Sequence, residues 1–224
     1  MTTFAFSSNG YAVIDNVVTP AECREIAAVI AGELGAMSGT RCLLSRRWCK
    51  ALARRLRAHP AIAALLPDGH VASQCTFFSK SSSLNWLVPI HQDLSIPVAE
   101  RVDAPALGGW SEKEGILFVQ APVSLLERLV AVRLHLDQCG ADDGLLQVVP
   151  GTHKRGKVSP EAAAAARRQG PVVSCEVGTG GVLVMQPLLL HASSKASGSS
   201  QRRVLHFLFG PPELSYGLRW RNAL

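Results

Sequence analysis

Two histidines and one carboxylate, split across two distant segments, are the residues with the most chemistry in this sequence. His91 and Asp93 lie in VPIHQDLSI, and His191 lies in PLLLHASS. In a strand, residues i and i+2 share a face, so His91 and Asp93 point the same way and Gln92 points the other. A third ligand, His191, must then come from a neighbouring strand. Two histidines and a carboxylate on one face of a metal leave three octahedral positions open, the pattern of non-haem Fe(II) oxygen chemistry. Such a centre can bind a chelating oxo acid and O2 together. Arg202 opens a strand-like run, RRVLHFLFG, downstream of His191. A guanidinium there can hold the carboxylate of an acidic co-substrate in a bidentate fork. The chain carries a second HxD, His135-Leu136-Asp137 in VRLHLDQCG. Its residues also share a face, and spacing alone does not choose between the copies. Either pair has a plainer use, as a satisfied histidine and a turn-capping aspartate. A zinc hydrolase or isomerase, or a non-redox metal-binding jelly-roll protein, is the alternative reading of the same ligands.

Short strands must position these residues. From residue 71 onward the pattern predicts strands at Val71–Ser79, Pro89–Ser95, Gly115–Val119, Leu129–Asp137, Leu145–Val149, Val172–Val177, Val182–Met185, Leu188–Ala192 and Arg202–Phe209. Turn clusters separate them, including Ala141-Asp142-Asp143-Gly144 and Gly178-Thr179-Gly180-Gly181. About nine short strands with such turns indicate a sandwich or jelly roll. One helix interrupts, started by Ser159-Pro160-Glu161 and ended near Gly170. The first part reads as a short strand followed by helices that cover one sheet. Thr19-Pro20-Ala21-Glu22 is a capping box with proline at the first helical position. Cys23, Ile26, Ala27, Ile30 and Leu34 form the buried stripe that follows. The stretch Ile96–Leu126, rich in Pro, Gly and charge, reads as a long irregular segment and a lid beside the site. Trp110, Lys113 and Glu114 are its candidate substrate contacts.

The chain has 224 residues, 47% of them apolar, enough for a core without disulfide or metal staples. The expected organisation is one domain over residues 1–224. Residues 1–70 give helical support, and 71–224 form a β core with the 96–126 insertion. No apolar run reaches the roughly 18 residues of a membrane span, and the N-terminus lacks the pattern of a signal peptide. Six cysteines (Cys23, Cys42, Cys49, Cys75, Cys139, Cys175) occur without a CxxC pair, so they read as buried free thiols of a cytoplasmic protein. Much of the net charge of +6 lies in residues 45 to 60. Arg47, Lys50, Arg54 and Arg57 form one helical face there, and Trp48, Leu52 and Leu56 form another. No aromatic residues interleave those charges, so the face reads as solvated rather than as a nucleic-acid surface. The expected partner is a small molecule, without nucleic acid or membrane.

Three longer stretches add a resemblance: FFSKSSSLNWLVPIHQDL, LERLVAVRLHLDQCGADDGLLQVVPGTHKRG and MQPLLLHASSKASGSSQRRVLHF. Together they are similar to the phytanoyl-CoA dioxygenase-like group of Fe(II)/2-oxoglutarate oxygenases, over nearly the whole chain. The resemblance implies a mainly β fold with N-terminal helices: a double-stranded β-helix (jelly roll, cupin-like) with helices on the outer face of one sheet. It implies Fe(II), 2-oxoglutarate and O2 as cofactors, and conversion of 2-oxoglutarate to succinate and CO2 as a small organic substrate is hydroxylated. It makes His91, Asp93 and His191 the metal ligands, because the first HxD binds iron in that family. It gives Arg202, eleven positions after the distal histidine, and Ser193, two after it, to the co-substrate carboxylate. Such a clamp argues against the zinc alternative. Lys80 and Asn85 are further co-substrate contacts, and Trp86, Trp110, Arg133 and His206 are expected at the substrate pocket. The chain departs from the family pattern at Leu87, Ile90, Arg133 and Asp143. A carboxylate at Asp93, where halogenating members carry a small residue, favours hydroxylation.

Overall fold

The computed structural model describes residues 2–35, 37–41, 43–81, 84–198 and 201–224. Its strands form three antiparallel sheets. The largest runs β1 (Tyr11–Ile14), β11 (Val182–Met185), β8 (Val130–His135), β13 (Arg202–Gly210), β3 (Val71–Lys80) and β2 (Gly39–Thr40). The second runs β10 (Val173–Cys175), β9 (Leu146–Val148), β12 (His191–Ser193) and β4 (Val88–His91). The third is β5 (Ser95–Val98), β7 (Ile116–Gln120) and β6 (Gly108–Lys113). The fold is the expected jelly roll, mainly β with helices against one sheet.

Alternation along the large sheet explains its two faces. Leu205, Phe207 and Phe209 of β13 and Val130, Val132 and Leu134 of β8 enter one apolar cluster with the leading helices. From α2 (Pro20–Leu34) come Cys23, Ala27 and Ile30, and from α3 (Arg47–Ala58) come Cys49, Leu52 and Leu56. Each large aliphatic or aromatic side chain buried there contributes roughly 1.5–3 kcal/mol. The alternate residues Arg133 and His206 turn the other way, toward the interior between the sheets. The Thr19 capping box is present: its hydroxyl accepts from the Glu22 N–H, and the Glu22 carboxylate accepts from the Thr19 N–H at 3.0 Å. On α3, Arg47, Arg54 and Arg57 remain exposed. Arg55 reaches back to Glu22 at 2.7 Å, which ties the two helices together.

Four local expectations differ from the structure. The strand predicted over Pro89–Ser95 ends at His91 and resumes at Ser95. Between them the Asp93 N–H donates to the Pro187 carbonyl at 2.9 Å, off the regular ladder. The strand predicted over Leu188–Ala192 begins only at His191, because a turn closed by Leu189 N–H on Gln186 O occupies 186–189. The segment 96–126 is not irregular. It carries most of the third sheet and α5 (Val123–Leu126), built on a small core of Ile96, Val98, Val119, Leu125, Leu126, Leu218 and Trp220. Its high Gly and charge content reflects hairpin turns and an exposed β6. A further helix, α1 (Thr2–Asn9), precedes β1 where only a strand was expected. The remaining helices are α4 (Pro60–Ala63) and α6 (Pro160–Gln169). Cys42 lies outside the described residues; the other five cysteines are free and buried. Among the described residues, no helix is long and apolar enough to cross a membrane.

Gly180 fixes the turn before β11. Its φ is +78°, its N–H donates to His135 O at 2.8 Å, and its carbonyl accepts from Val17 and Val18. A Cβ there would lie 1.8 Å from the Val18 carbonyl oxygen, whereas one at Gly178 would meet nothing within 4 Å. Gly180→Ala is therefore expected to lower stability by about 1–3 kcal/mol, and Gly178→Ala to change it by less than about 0.5 kcal/mol. Urea unfolding of both variants checks this.

Candidate functional site

Strand pairing places the two histidines. β12 pairs with β4 so that His191 lies opposite His91, and their ring centroids are 4.2 Å apart. A register shift follows, and Ser193 then lies opposite Val88. Each ring is fixed by its own backbone. His91 Nδ1 is 2.8 Å from Pro89 O, and His191 Nδ1 is 2.9 Å from Leu189 O. A carbonyl only accepts, so Nδ1 carries a proton on both rings and Nε2 is the nitrogen left to face a metal. Both Nε2 atoms face Asp93: His91 Nε2 is 3.6 Å from Oδ1, and His191 Nε2 is 3.6 Å from Oδ2. The three ligand atoms lie within 4.8 Å of one another. Gln92, between the two, spends its amide on Gly156, Leu188 and Val158.

The electrostatics suit a cation at the centre of this set. Burial pushes the His191 ring down to about 4, against the pull of Asp93, so it is a neutral donor. Burial also works against a charged His91, but the nearby Asp93 carboxylate outweighs it and lifts the ring above its ordinary value. His91 Nε2 therefore takes up a proton more readily than His191 Nε2, and a bound metal would displace that proton. Desolvation alone would raise the Asp93 carboxyl; the neighbouring histidines outweigh it and hold Asp93 well below the usual range. Two imidazole lone pairs and an ionised carboxylate fit a divalent ion such as Fe(II), with backbone carbonyls orienting the rings behind it.

These residues stand on the wall of a cavity of about 370 Å³. Lys80, Trp86, Arg133, Ser193, Arg202 and His206 also line it. At one end, Lys80 donates to Ser193 Oγ at 2.7 Å and to Ser194 O at 2.8 Å, and Ser193 Oγ donates to Gly144 O at 2.9 Å. Arg202, opposite Lys80 across the β13–β3 pair, also donates to Gly144 O. Its Nε is buried with no partner, and neither cation pairs with a carboxylate among the described residues. An orphaned donor on a buried guanidinium such as that of Arg202 is what an incoming carboxylate satisfies. The Lys80 ammonium also lies 5.2 Å from the centroid of the Trp86 ring.

Two expected contacts fall elsewhere. Asn85 does not line the cavity: its amide exchanges hydrogen bonds with the backbone of Ala196, at 2.7 and 2.9 Å, and so pins the segment after β12. Trp110 lies in the irregular pairing between Gly108 and Ser111 and faces a separate hollow, with Arg101 at 5.1 Å over its ring. Of its neighbours, Lys113 does line the cavity, and Glu114 binds the Thr40 hydroxyl at 2.6 Å and Arg41 at 3.0 Å. The second HxD is dispersed. Asp137 is held by Arg203 through contacts of 2.6 and 2.8 Å, and His135 is buried with both ring nitrogens unpartnered. The Gly144 carbonyl and Arg41 were not anticipated. Gly144 reads in the sequence only as a turn residue, and Arg41 has no local signature. The fold alone brings the Gly144 carbonyl to Ser193 and Arg202, and Arg41 to the cavity.

A family model described as phytanoyl-CoA dioxygenase (PhyH) matches residues 6–204. No curated protein matches the chain. Several solved structures share the architecture. EctD from S. alaskensis, in its apo form, superposes with a TM-score of 0.71 at 16% identity, covering 99% of this chain and 82% of that one. SnoN, a non-haem α-ketoglutarate-dependent epimerase of nogalamycin biosynthesis, gives 0.69 at 13% identity, covering 94% and 81%. HygX from Streptomyces hygroscopicus, with iron bound, gives 0.67 at 17% identity, covering 94% and 85%. At such identities the likeness establishes the fold.

Lys80 yields a test that needs no ligand. Burial first, then Arg202 and Arg133, lower its pKa to about 8, against about 10.4 in an unfolded chain. Between those values the unfolded state binds more protons, so stability rises with pH. Wild type should therefore gain stability relative to Lys80→Met from about pH 8 to about pH 10. Unfolding midpoints of the two proteins across that range check it; parallel curves would contradict it.

Proposed function

The chain belongs to the phytanoyl-CoA dioxygenase family and is an Fe(II)/2-oxoglutarate-dependent enzyme, and on that premise we propose that it hydroxylates a small organic substrate with His91, Asp93 and His191 as the iron ligands. The observation that carries this is the placement of both halves of the chemistry in one cavity: the converging donor triad on one wall and the Lys80–Ser193–Arg202 cluster beside it. Iron held by the triad, with 2-oxoglutarate and O2, would supply oxidative decarboxylation to succinate and CO2 and the oxidant for a C–H bond.

The protein's own residues would do the rest. Arg202 and Lys80 would hold the distal carboxylate of 2-oxoglutarate, and Ser193 would orient it with a hydroxyl already aimed between Lys80 and Gly144. Asp93 keeps a carboxylate in the ligand set, which supports hydroxylation. The β5–β7–β6 sheet would act as the lid of a single catalytic domain. Lys113 and Phe118 reach the cavity from it, and Glu114 latches its turn to Thr40 and Arg41. The buried free thiols support a place in the reducing cytoplasm.

Metal-free protein given Fe(II) and 2-oxoglutarate under nitrogen is expected to show the visible charge-transfer band of the bidentate complex. Arg202→Ala should need about tenfold or more 2-oxoglutarate to reach it, the worth of a charge-assisted pair. Asp93→Ala should lose substrate hydroxylation, while Asp137→Asn should keep it. Iron demonstrably bound to wild type without the band would sink the proposal.

A further inference from the structure

One guanidinium in the cavity is used by neither the metal triad nor the co-substrate cluster. Arg133 projects inward from β8 and is 7% exposed. Its Nη1 is bonded to His206 Nδ1 at 2.8 Å, and its Nε is buried with no partner. No carboxylate among the described residues pairs with it. His206 brings no counter-charge. Burial, reinforced by Arg133 itself, pushes that ring down to about 3 and keeps it neutral. The Phe78 ring lies 5.5 Å from the guanidinium carbon, so the side chain is braced on an aromatic face. A buried cation without an anion is costly to maintain.

Strand register sets the backbone of this residue apart from that of Arg202, while its charge still reaches Lys80. Arg133 lies opposite His206, four residues along β13 from Arg202. That is about 13 Å of strand at 3.3 Å per residue. A diacid chelated to the metal at one end has a single free carboxylate, and Arg202, Lys80 and Ser193 already form a cluster for it. The charge around the cavity points the same way. Arg41, Lys80, Lys113, Arg133 and Arg202 line it, and Asp93 is the only acidic residue among the lining residues.

Resting on the 2-oxoglutarate reading above, we propose that Arg133 receives a carboxylate of the primary substrate, which makes the substrate class small organic acids. A planar, fixed fork matches a carboxylate, and Arg133 would then set both specificity and the position of the substrate relative to the metal. A neutral amide or ester of the same shape would leave the guanidinium unpaired.

The test uses protein loaded with Fe(II) and saturating 2-oxoglutarate under nitrogen. Straight-chain and aromatic monocarboxylates of four to ten carbons (about that span suits the cavity) are titrated beside their primary amides. Binding is read from quenching of tryptophan fluorescence, since Trp86 lines the cavity, and from shifts of the charge-transfer band. At least one acid should bind about tenfold or more tightly than its amide. Arg133→Met should remove that difference, and Arg133→Lys should restore part of it. The 2-oxoglutarate concentration that half-saturates the band should rise by no more than about threefold in Arg133→Met, the loss of one neighbouring charge, and the retained band shows that this variant is folded. Acids that bind no better than their amides overturn the proposal, as does an acid preference that survives in Arg133→Met. A larger weakening of the 2-oxoglutarate response in Arg133→Met would make Arg133 part of the co-substrate clamp instead, overturning the proposal while leaving the chemistry standing. Absence of the band in wild type would overturn the reading beneath both.

Discussion

The antiparallel pairing of β12 with β4 is the constraint on which the site depends. It sets His191 opposite His91, two backbone carbonyls then hold Nδ1 of both rings, and Asp93 closes the set from the extended segment between β4 and β5. A one-residue slip would send one histidine to the opposite face. The register is protected because β12 is also paired with β9 on its other side, with Val148 opposite His191.

The large sheet serves the site differently. It presents one apolar face to the helices and turns an unusual amount of positive charge to the interior. Arg133, Arg202 and Lys80 are all buried on that inner side. Such charges weaken the fold unless anions accompany them, and the packing of Leu205, Phe207 and Phe209 beneath α2 and α3 offsets that cost. The apolar half of each strand thus stabilises what the polar half strains, and alternation is what allows one strand to carry both. The result is a cavity whose lining carries more positive than negative charge.

Much of this was legible in the sequence. Alternation in RRVLHFLFG assigned Arg203 to the face of Leu205 and Phe207 and Arg202 to the interior, and β13 places them so. The capping box at Thr19 and the apolar stripe of α2 were equally direct. The choice between two HxD copies was not local. It came from resemblance, and the structure shows a physical counterpart in the capture of Asp137 by Arg203 across neighbouring strands. Other features were out of reach for the same reason. The β6–β7 hairpin hides in a segment whose composition reads as loop, and its core is completed by Leu218 and Trp220 from the far end of the chain. Trp110 followed the irregular pairing of β6 away from the cavity, and Asn85 found backbone partners in a segment over a hundred residues later.

The central claim is that one metal ion sits between β4 and β12. A crystal structure of the protein soaked anaerobically with Fe(II) and 2-oxoglutarate, with anomalous data collected across the iron edge, tests it most directly. The account predicts a single strong anomalous peak bounded by His91 Nε2, Asp93 and His191 Nε2, with the diacid running from it toward Arg202. A peak beside His135 or His206, or a diacid lying with neither end on the metal, would contradict it.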